Sequence, residues 1–332
     1  MDIERYSVRT DLALEAQEMA GALHQKQQLP GIESEVSKDH EMTITRIKVL
    51  DEIGSQTLQK LPGYYITIEV PSLRHQDSDL QHRVATRFAE EFKRFLDAIH
   101  ISRDAKVLIV GLGNLNVTPD ALGPLVVENT WITRHYFELV PEQVKEGYRQ
   151  VSAVVPGVLG TTGIESGDIV QGIVEKSKPD LVIAIDALAS KSLERVNTTI
   201  QIADTGIHPG SGIGNKRKAL TKDTLGIPVI AIGVPTVVYA STIVNNTLDY
   251  IQQHMKSHTT LDAQILGILD SISPDERLQL VKEVLDPLGH DLLVTPKEID
   301  QFIEDIANII ATGLNSALHQ GIDTTNVSAY TH

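Results

Sequence analysis

Three short, uninterrupted apolar runs constrain this chain most: Val107-Leu108-Ile109-Val110, Leu181-Val182-Ile183-Ala184-Ile185 and Val229-Ile230-Ala231-Ile232. A strand with one face in water alternates apolar and polar residues, whereas a continuous run must be buried on both faces. That burial is the property of a parallel sheet covered by helices on its two sides. Helical patterns do lie between the runs, notably Pro119 to Thr130 and Asp168 to Lys176. The expected fold class is therefore α/β, a mostly parallel sheet flanked by helices and joined by right-handed crossovers.

The flanking regions have a different texture. Leu12 to Gln28 is rich in Ala, Leu, Glu and Gln and stops before Leu29-Pro30-Gly31, which predicts a helix appended to the core. Met42 to Val49 and Tyr64 to Val70 alternate with period two, which predicts an antiparallel pair. Asp79 to His100 is amphipathic, with Val84, Phe88, Phe92 and Phe95 on the face expected to meet the core. Beyond residue 262 the pattern is mostly helical, over Ala263–Leu269, Pro274–Leu285 and Pro296–Leu318. The chain of 332 residues divides into an N-terminal helix, hairpin and helix to residue 100, an α/β core over 101–250 and a C-terminal helical region over 251–332.

Composition removes several function classes. Lys plus Arg number 29 against 44 Asp plus Glu, a net charge of −15, which argues against a phosphate-binding surface for nucleic acid or anionic lipid. The absence of cysteine excludes disulfides, thiolate metal sites and a cysteine nucleophile, and is compatible with the cytosol. The opening Met1-Asp2-Ile3-Glu4-Arg5-Tyr6 lacks the apolar run of a signal peptide. Ile227 to Ala240, the longest apolar stretch, is broken by Pro228 and Pro235 and falls short of the ~20 residues that span a bilayer. No membrane helix is expected.

Chemistry is expected where the runs end. Gly111 to Pro124 follows the first run and looks like a nucleotide-binding turn, but Asn116 stands where a dinucleotide fingerprint needs its third glycine. Asp120 would moreover repel a pyrophosphate. Its structural alternative is a plain helix start, with Thr118 as cap and Pro119 in the first turn. Asp186 follows the second run, so in a parallel sheet Asp120 and Asp186 emerge at the same carboxyl edge. Two carboxylates in a confined site share a proton readily, one serving as acid while the other activates water. Capping or binding of backbone amides is the alternative role for Asp186. Asp204 to Arg217 adds His208 within a glycine-rich stretch that ends in basic residues. His208 is either a loop residue, a support to the carboxylates, or, with Asp120 and Asp186, a ligand for a divalent metal. Gly233 to Val238 follows the third run and either lines the same edge or, the favoured reading, makes a packed strand-to-helix turn. Gly157, Gly160 and Gly163 mark a connection expected to move near the site.

Taken together, GLGNLNVTPDALGP, VSAVVPGVLGTTGIESGDIV, LVIAIDALASKSLERVNTTIQIADTGIHPGSGIGNKRK and GIPVIAIGVPTVV resemble the germination proteases of spore-forming bacteria. These endopeptidases act on small acid-soluble spore proteins. The resemblance runs from YSVRTDLALEA to the C-terminal PLGHDLLVTPKEIDQFIEDIANIIATGLNSALH and so covers nearly the whole chain. It implies a core similar to hydrogenase-maturation proteases, a homotetramer, a spore-core (cytoplasmic) location and synthesis as a zymogen. The family's two essential aspartates fall on Asp120 and Asp186. The resemblance implies no obligatory cofactor, with a divalent metal as the alternative, and small acid-soluble spore proteins as substrates; the net charge and the lack of a membrane-length apolar run lead to no nucleic-acid or membrane partner being expected. The family's substrates are cut after Glu and before an apolar-Ala-Ser-Glu segment. Asp11-Leu12-Ala13-Leu14-Glu15 is an imperfect copy of that pattern, which predicts self-cleavage between Asp11 and Leu12 and makes residues 1–11 a propeptide. Acidification and protonation of the carboxylates form the expected trigger. Two other readings remain: a metal-dependent maturation peptidase acting on another enzyme, and a non-catalytic nucleotide-binding module.

Overall fold

A computed structural model describes residues 10–24, 29–144, 146–208, 218–257, 274–285 and 291–321. The helix expected over Ala263–Leu269 and most of the glycine-rich stretch after His208 lie outside the described residues.

The strands are β1 (Ile32–Asp39), β2 (Met42–Val49), β3 (Gly63–Glu69), β4 (Val107–Gly111), β5 (Val151–Val154), β6 (Leu181–Ser190), β7 (Thr199–Ala203), β8 (Val229–Tyr239) and β9 (Leu293–Val294). They form one sheet in the order β1-β2-β3-β7-β8-β6-β4-β5, with β9 beside the end of β8. The three apolar runs are β4, β6 and the first part of β8, and with β5 they are mutually parallel. β7 joins β8 antiparallel, and β3, β2 and β1 continue antiparallel from there. The sheet as a whole is thus mixed, while the part within residues 101–250 is mostly parallel as expected, with β7 running antiparallel. The expected β2–β3 pair exists, but it extends the core sheet through β7, a Thr-Ile-Gln-Ile-Ala segment whose alternation passed unmarked in the sequence.

The helices are α1 (Ala13–His24), α2 (Glu52–Leu58), α3 (Ser78–Ala98), α4 (Leu122–Glu128), α5 (Ser166–Ser177), α6 (Ala240–Ser257), α7 (Pro274–Leu285) and α8 (Ile299–Leu318). Alternate residues of each run enter different cores. Ile109, Ile183, Ile185, Ile230 and Ile232 pack with α3, α4 and α8, whereas Leu108, Val110, Val182, Ala184 and Val229 pack with Val170 and Val174 of α5. Burial on both faces is the reason these runs carry no polar residue. On α3, Phe88, Phe92 and Phe95 are fully buried and stack in series, with ring centroids 5.7 and 6.5 Å apart. Burying each such ring contributes roughly 1.5–3 kcal/mol. Asp77 starts α3 by accepting from the backbone N–H groups of Asp79 and Leu80.

α1 is no appendage. Ala13, Leu14 and Ala20 pack on Ile47, Val49 and Tyr65, while Leu12 enters the core under α5. Both Leu12 and Ala13 are fully buried. α1 and α5 therefore cover the same face of the sheet at different strands, and the gap between them defines the site.

Candidate active site

That gap is a cavity of about 1320 Å³ over β6, β8 and β7. Its floor follows from strand register. Asp186 of β6 is paired with Gly233 of β8, and Gly233 with Gln201 of β7. Residues paired across a sheet point to one face, so Asp186 and Gln201 rise into the cavity on either side of a residue with no side chain. Strand spacing puts their Cα atoms about 10 Å apart. Asp186 is 8% exposed, and its Oδ1 accepts from the Ala187 N–H at 3.0 Å. β6 continues through Ser190, so Asp186 stands within the strand and not after its end, and it caps no helix. What ends there is the pairing with β4, whose last partner pair is Gly111 and Ile185. The β4–α4 loop takes over at that point.

This loop carries Asp120 in the tight turn Thr118–Asp120 before α4. The cap positions of the turn and of α4 fall on Val117 and Ala121, neither with a side-chain cap, so Thr118 does not play the capping role. Glycines bring the turn in close. Gly113 has φ +117°, and a Cβ there would lie 2.0 Å from the Asp120 carbonyl oxygen. That oxygen instead accepts from the Asn114 N–H at 3.0 Å. A second tie comes from β8, where the register against β6 shifts between Leu188 and Ala189. Proline is tolerated in a strand at such a bulge, and Pro235 marks it. Next to it, the Thr236 hydroxyl donates to the Pro119 carbonyl at 2.6 Å. Gly233 to Val238 is therefore bulged strand, not the expected strand-to-helix turn, and Thr236 fastens the turn that bears Asp120.

Asp120, Asp186 and His208 all line the cavity, and so does Asp11. His208 is exposed. The N-terminal segment is tied across the cavity by its backbone. Asp11 pairs with the end of β6: its N–H donates to the Ala189 carbonyl at 3.3 Å, and its Oδ2 accepts from the Ala189 N–H at 3.0 Å. The Asp11 carbonyl accepts from Lys60 Nζ at 2.9 Å and from Gln201 Nε2 at 3.3 Å. Gln201 Oε1 accepts from the Ala13 N–H at 2.6 Å, so one amide brackets the Asp11–Leu12 bond. Burial lowers the Lys60 pKa, while the negative charges of Asp11 and Glu15 pull it back up. Gly157 and Gly163 sit at φ +72° and +70° around a short helix, Leu159–Thr162, at the cavity's border with Val158 and Ser166.

The family described as Germination protease matches residues 10–262 and 258–331, which includes every one of these residues. The chain belongs to the germination protease family. Among its relatives, the germination protease of Bacillus cereus (strain AH187) is 53% identical, over 100% of this chain and 99% of its own length. That of Bacillus mycoides (strain KBAB4) is 52% identical with the same coverage. Among solved structures, a [NiFe] hydrogenase maturation protease, HycI, from Thermococcus kodakarensis matches with 17% identity and a TM-score of 0.24, over 56% of this chain and 94% of that one. Membership of the family makes the chain a peptidase, a hydrolase of spore germination.

For a metal, the donor set matters. Among the described residues no three His, Asp or Glu side chains converge to hold an ion. No helix among the described residues is long and apolar enough to cross a membrane. Sequence reasoning missed Lys60 and Gln201, whereas the 233–238 stretch, which it did place at this edge as an alternative, brings Gly233, Thr236 and Val237 to the cavity.

Proposed function

We propose that the chain is an endopeptidase that begins the breakdown of small acid-soluble spore proteins, held as a zymogen until it cuts its own Asp11–Leu12 bond. The observation that carries this reading is the Thr10–Glu15 segment fastened across the cavity that Asp120 and Asp186 share. One carboxylate of the pair takes a proton from water as its oxygen adds to the carbonyl carbon of residue 11. The other, protonated, gives its proton to the leaving nitrogen of residue 12 as the C–N bond breaks. Lys60 and Gln201 donate to the carbonyl oxygen on which negative charge gathers. His208, at the cavity wall, has a supporting role in polarising the substrate.

N-terminal sequencing after incubation at mildly acid pH tests the reading. A new terminus at Leu12 is expected in the parent chain and not in Asp186→Asn, and a terminus that never changes rejects self-cleavage. Repeating the incubation with a chelator separates the aspartate mechanism, which persists, from a metal-dependent one. The assembly proposed is a homotetramer in the spore core; a monomer mass by light scattering at micromolar concentration contradicts it.

A further inference from the structure

Where β8 passes the site it carries one residue more than β6. Leu188 is paired with Pro235 and Ala189 with Val237, so Thr236 is the extra residue of the bulge. A bulge re-aims the side chain it carries, and here the aim is toward the β4–α4 loop. Thr236 is 1% exposed, and both its hydroxyl and its carbonyl are engaged. The hydroxyl donates to the Pro119 carbonyl at 2.6 Å, and the carbonyl accepts from the Thr295 hydroxyl at 2.8 Å. Three segments distant in sequence thereby meet at one residue beside the cavity, which Pro119, Asp120, Thr236 and Thr295 all line.

Thr295 belongs to a strap that is itself well fixed. Asp291 accepts from the Ser241 N–H at 3.2 Å and from the Ser241 hydroxyl, and the Leu292 carbonyl accepts from the Ala240 N–H at 2.9 Å. Leu293 and Val294 then form β9 against Tyr239 and Val238. α8 follows and shares a core with α4, where Leu122 and Val126 pack with Ile303, Ile306 and Ile310. The C-terminal segment therefore grips the Asp120 turn on two sides, through α4 after it and through the two threonines at Pro119. The turn's own hydrogen bonds do not replace that grip. The Asp120 N–H donates to the Val117 carbonyl at 2.7 Å and the Asp120 carbonyl accepts from Asn114, which sets the shape of the turn but not its place relative to β6. Proline has no N–H, so its carbonyl is the backbone group by which Pro119 is held.

We infer that Thr236 and Thr295 are positioning residues, a relay of two hydroxyls through which the strap at 291–295 sets where Asp120 stands relative to Asp186. The inference rests on the reading that these two aspartates act together on the scissile bond. Asp186 is carried by a strand and Asp120 by a loop, so their separation is only as exact as the ties that join loop to sheet. Catalytic groups must be held within roughly 0.5 Å of productive geometry, and a misplacement of about 1 Å costs up to about 10²-fold in rate. Both threonines act through the turn and not on the reacting atoms. Loss of the relay should therefore lower turnover and leave substrate affinity nearly unchanged.

The test compares the full chain with its Thr236→Val, Thr236→Ser and Thr295→Val variants. Valine keeps the branched shape and removes the hydroxyl, whereas serine keeps the hydroxyl. On a peptide copied from residues 8–18, Thr236→Val is expected to lower kcat about tenfold with KM within about twofold of the parent. Thr295→Val should lower kcat by less, and Thr236→Ser should restore most of it. Deuterium exchange at the Asn114 and Asp120 amides, which close the turn, should rise in Thr236→Val and fall back in the serine variant. Unchanged exchange in Thr236→Val, or a kcat loss that serine does not restore, overturns the relay. Parental kcat in Thr236→Val overturns it equally when Asp120→Asn is inactive. Parental kcat in Asp120→Asn removes the aspartate reading alone, and raised exchange in Thr236→Val then still supports the relay as the tie that places this turn.

Discussion

Asp120→Asn and Asp186→Asn are each expected to leave a folded chain that has lost peptide cleavage by about 10²–10⁴-fold, the usual cost of removing a positioned acid or base. The exchange of carboxylate for amide keeps shape and most hydrogen-bonding capacity, so what disappears is the ability to take up and release a proton. Asp186 is 8% exposed in a strand whose neighbours are apolar. The amide keeps the acceptor that the Ala187 N–H uses, so the strand around Asp186 should keep its structure, and thermal melts check that both variants remain folded. If the two act as one unit, the double variant should be barely slower than either single one. Initial rates on a peptide copied from residues 8–18 measure this, and near-parental turnover in either single variant removes that residue from the mechanism.

The sheet and the site were unequally legible in the sequence. Apolar runs of four or five β-branched-rich residues are too short for a buried helix and suit strands buried on two faces, so β4, β6 and β8 could be read directly. Asp186 stands out for the same reason, as a carboxylate interrupting such a run. Its true position within β6 was not readable, because the strand's polar-tolerant end, Ala187 to Ser190, depends on pairing with β8 beyond the bulge. β7 was overlooked because its alternation is short and its partners β3 and β8 are distant in sequence. Without β7, the antiparallel half of the sheet seems separate, and Gln201 has no place. Lys60 is an ordinary surface residue type, and only tertiary placement, with α1 packed on β2 and β3, turns it toward the Asp11 carbonyl.

Lys60→Met is expected to slow self-cleavage at Asp11–Leu12 by about 10²–10³-fold, the range for losing a donor to a developing oxyanion. Lys60 Nζ lies 2.9 Å from the Asp11 carbonyl oxygen, and Gln201 Nε2, 3.3 Å away, is the longer neutral partner. As water adds, that oxygen gains negative charge, and a hydrogen bond from an ammonium strengthens more than one from an amide. A purely structural lysine would also hold this carbonyl, so the discriminating readout is pH. Burial lowers the Lys60 pKa from its usual 10.5 despite the opposing pull of Asp11 and Glu15. Beyond the fall caused by ionisation of the acid carboxylate, the parent's processing rate should therefore show a further fall that begins below the usual lysine range, and Lys60→Met should lose that further step. Stability moves in the opposite sense. Between the depressed folded pKa and 10.5 the unfolded chain binds more protons than the folded one, so the parent gains stability as pH rises through that window. The methionine variant gains none there. Processing of Lys60→Met at the parental rate, or survival of that further step in the variant, would show that Lys60 only anchors the segment and that the oxyanion is stabilised by other groups.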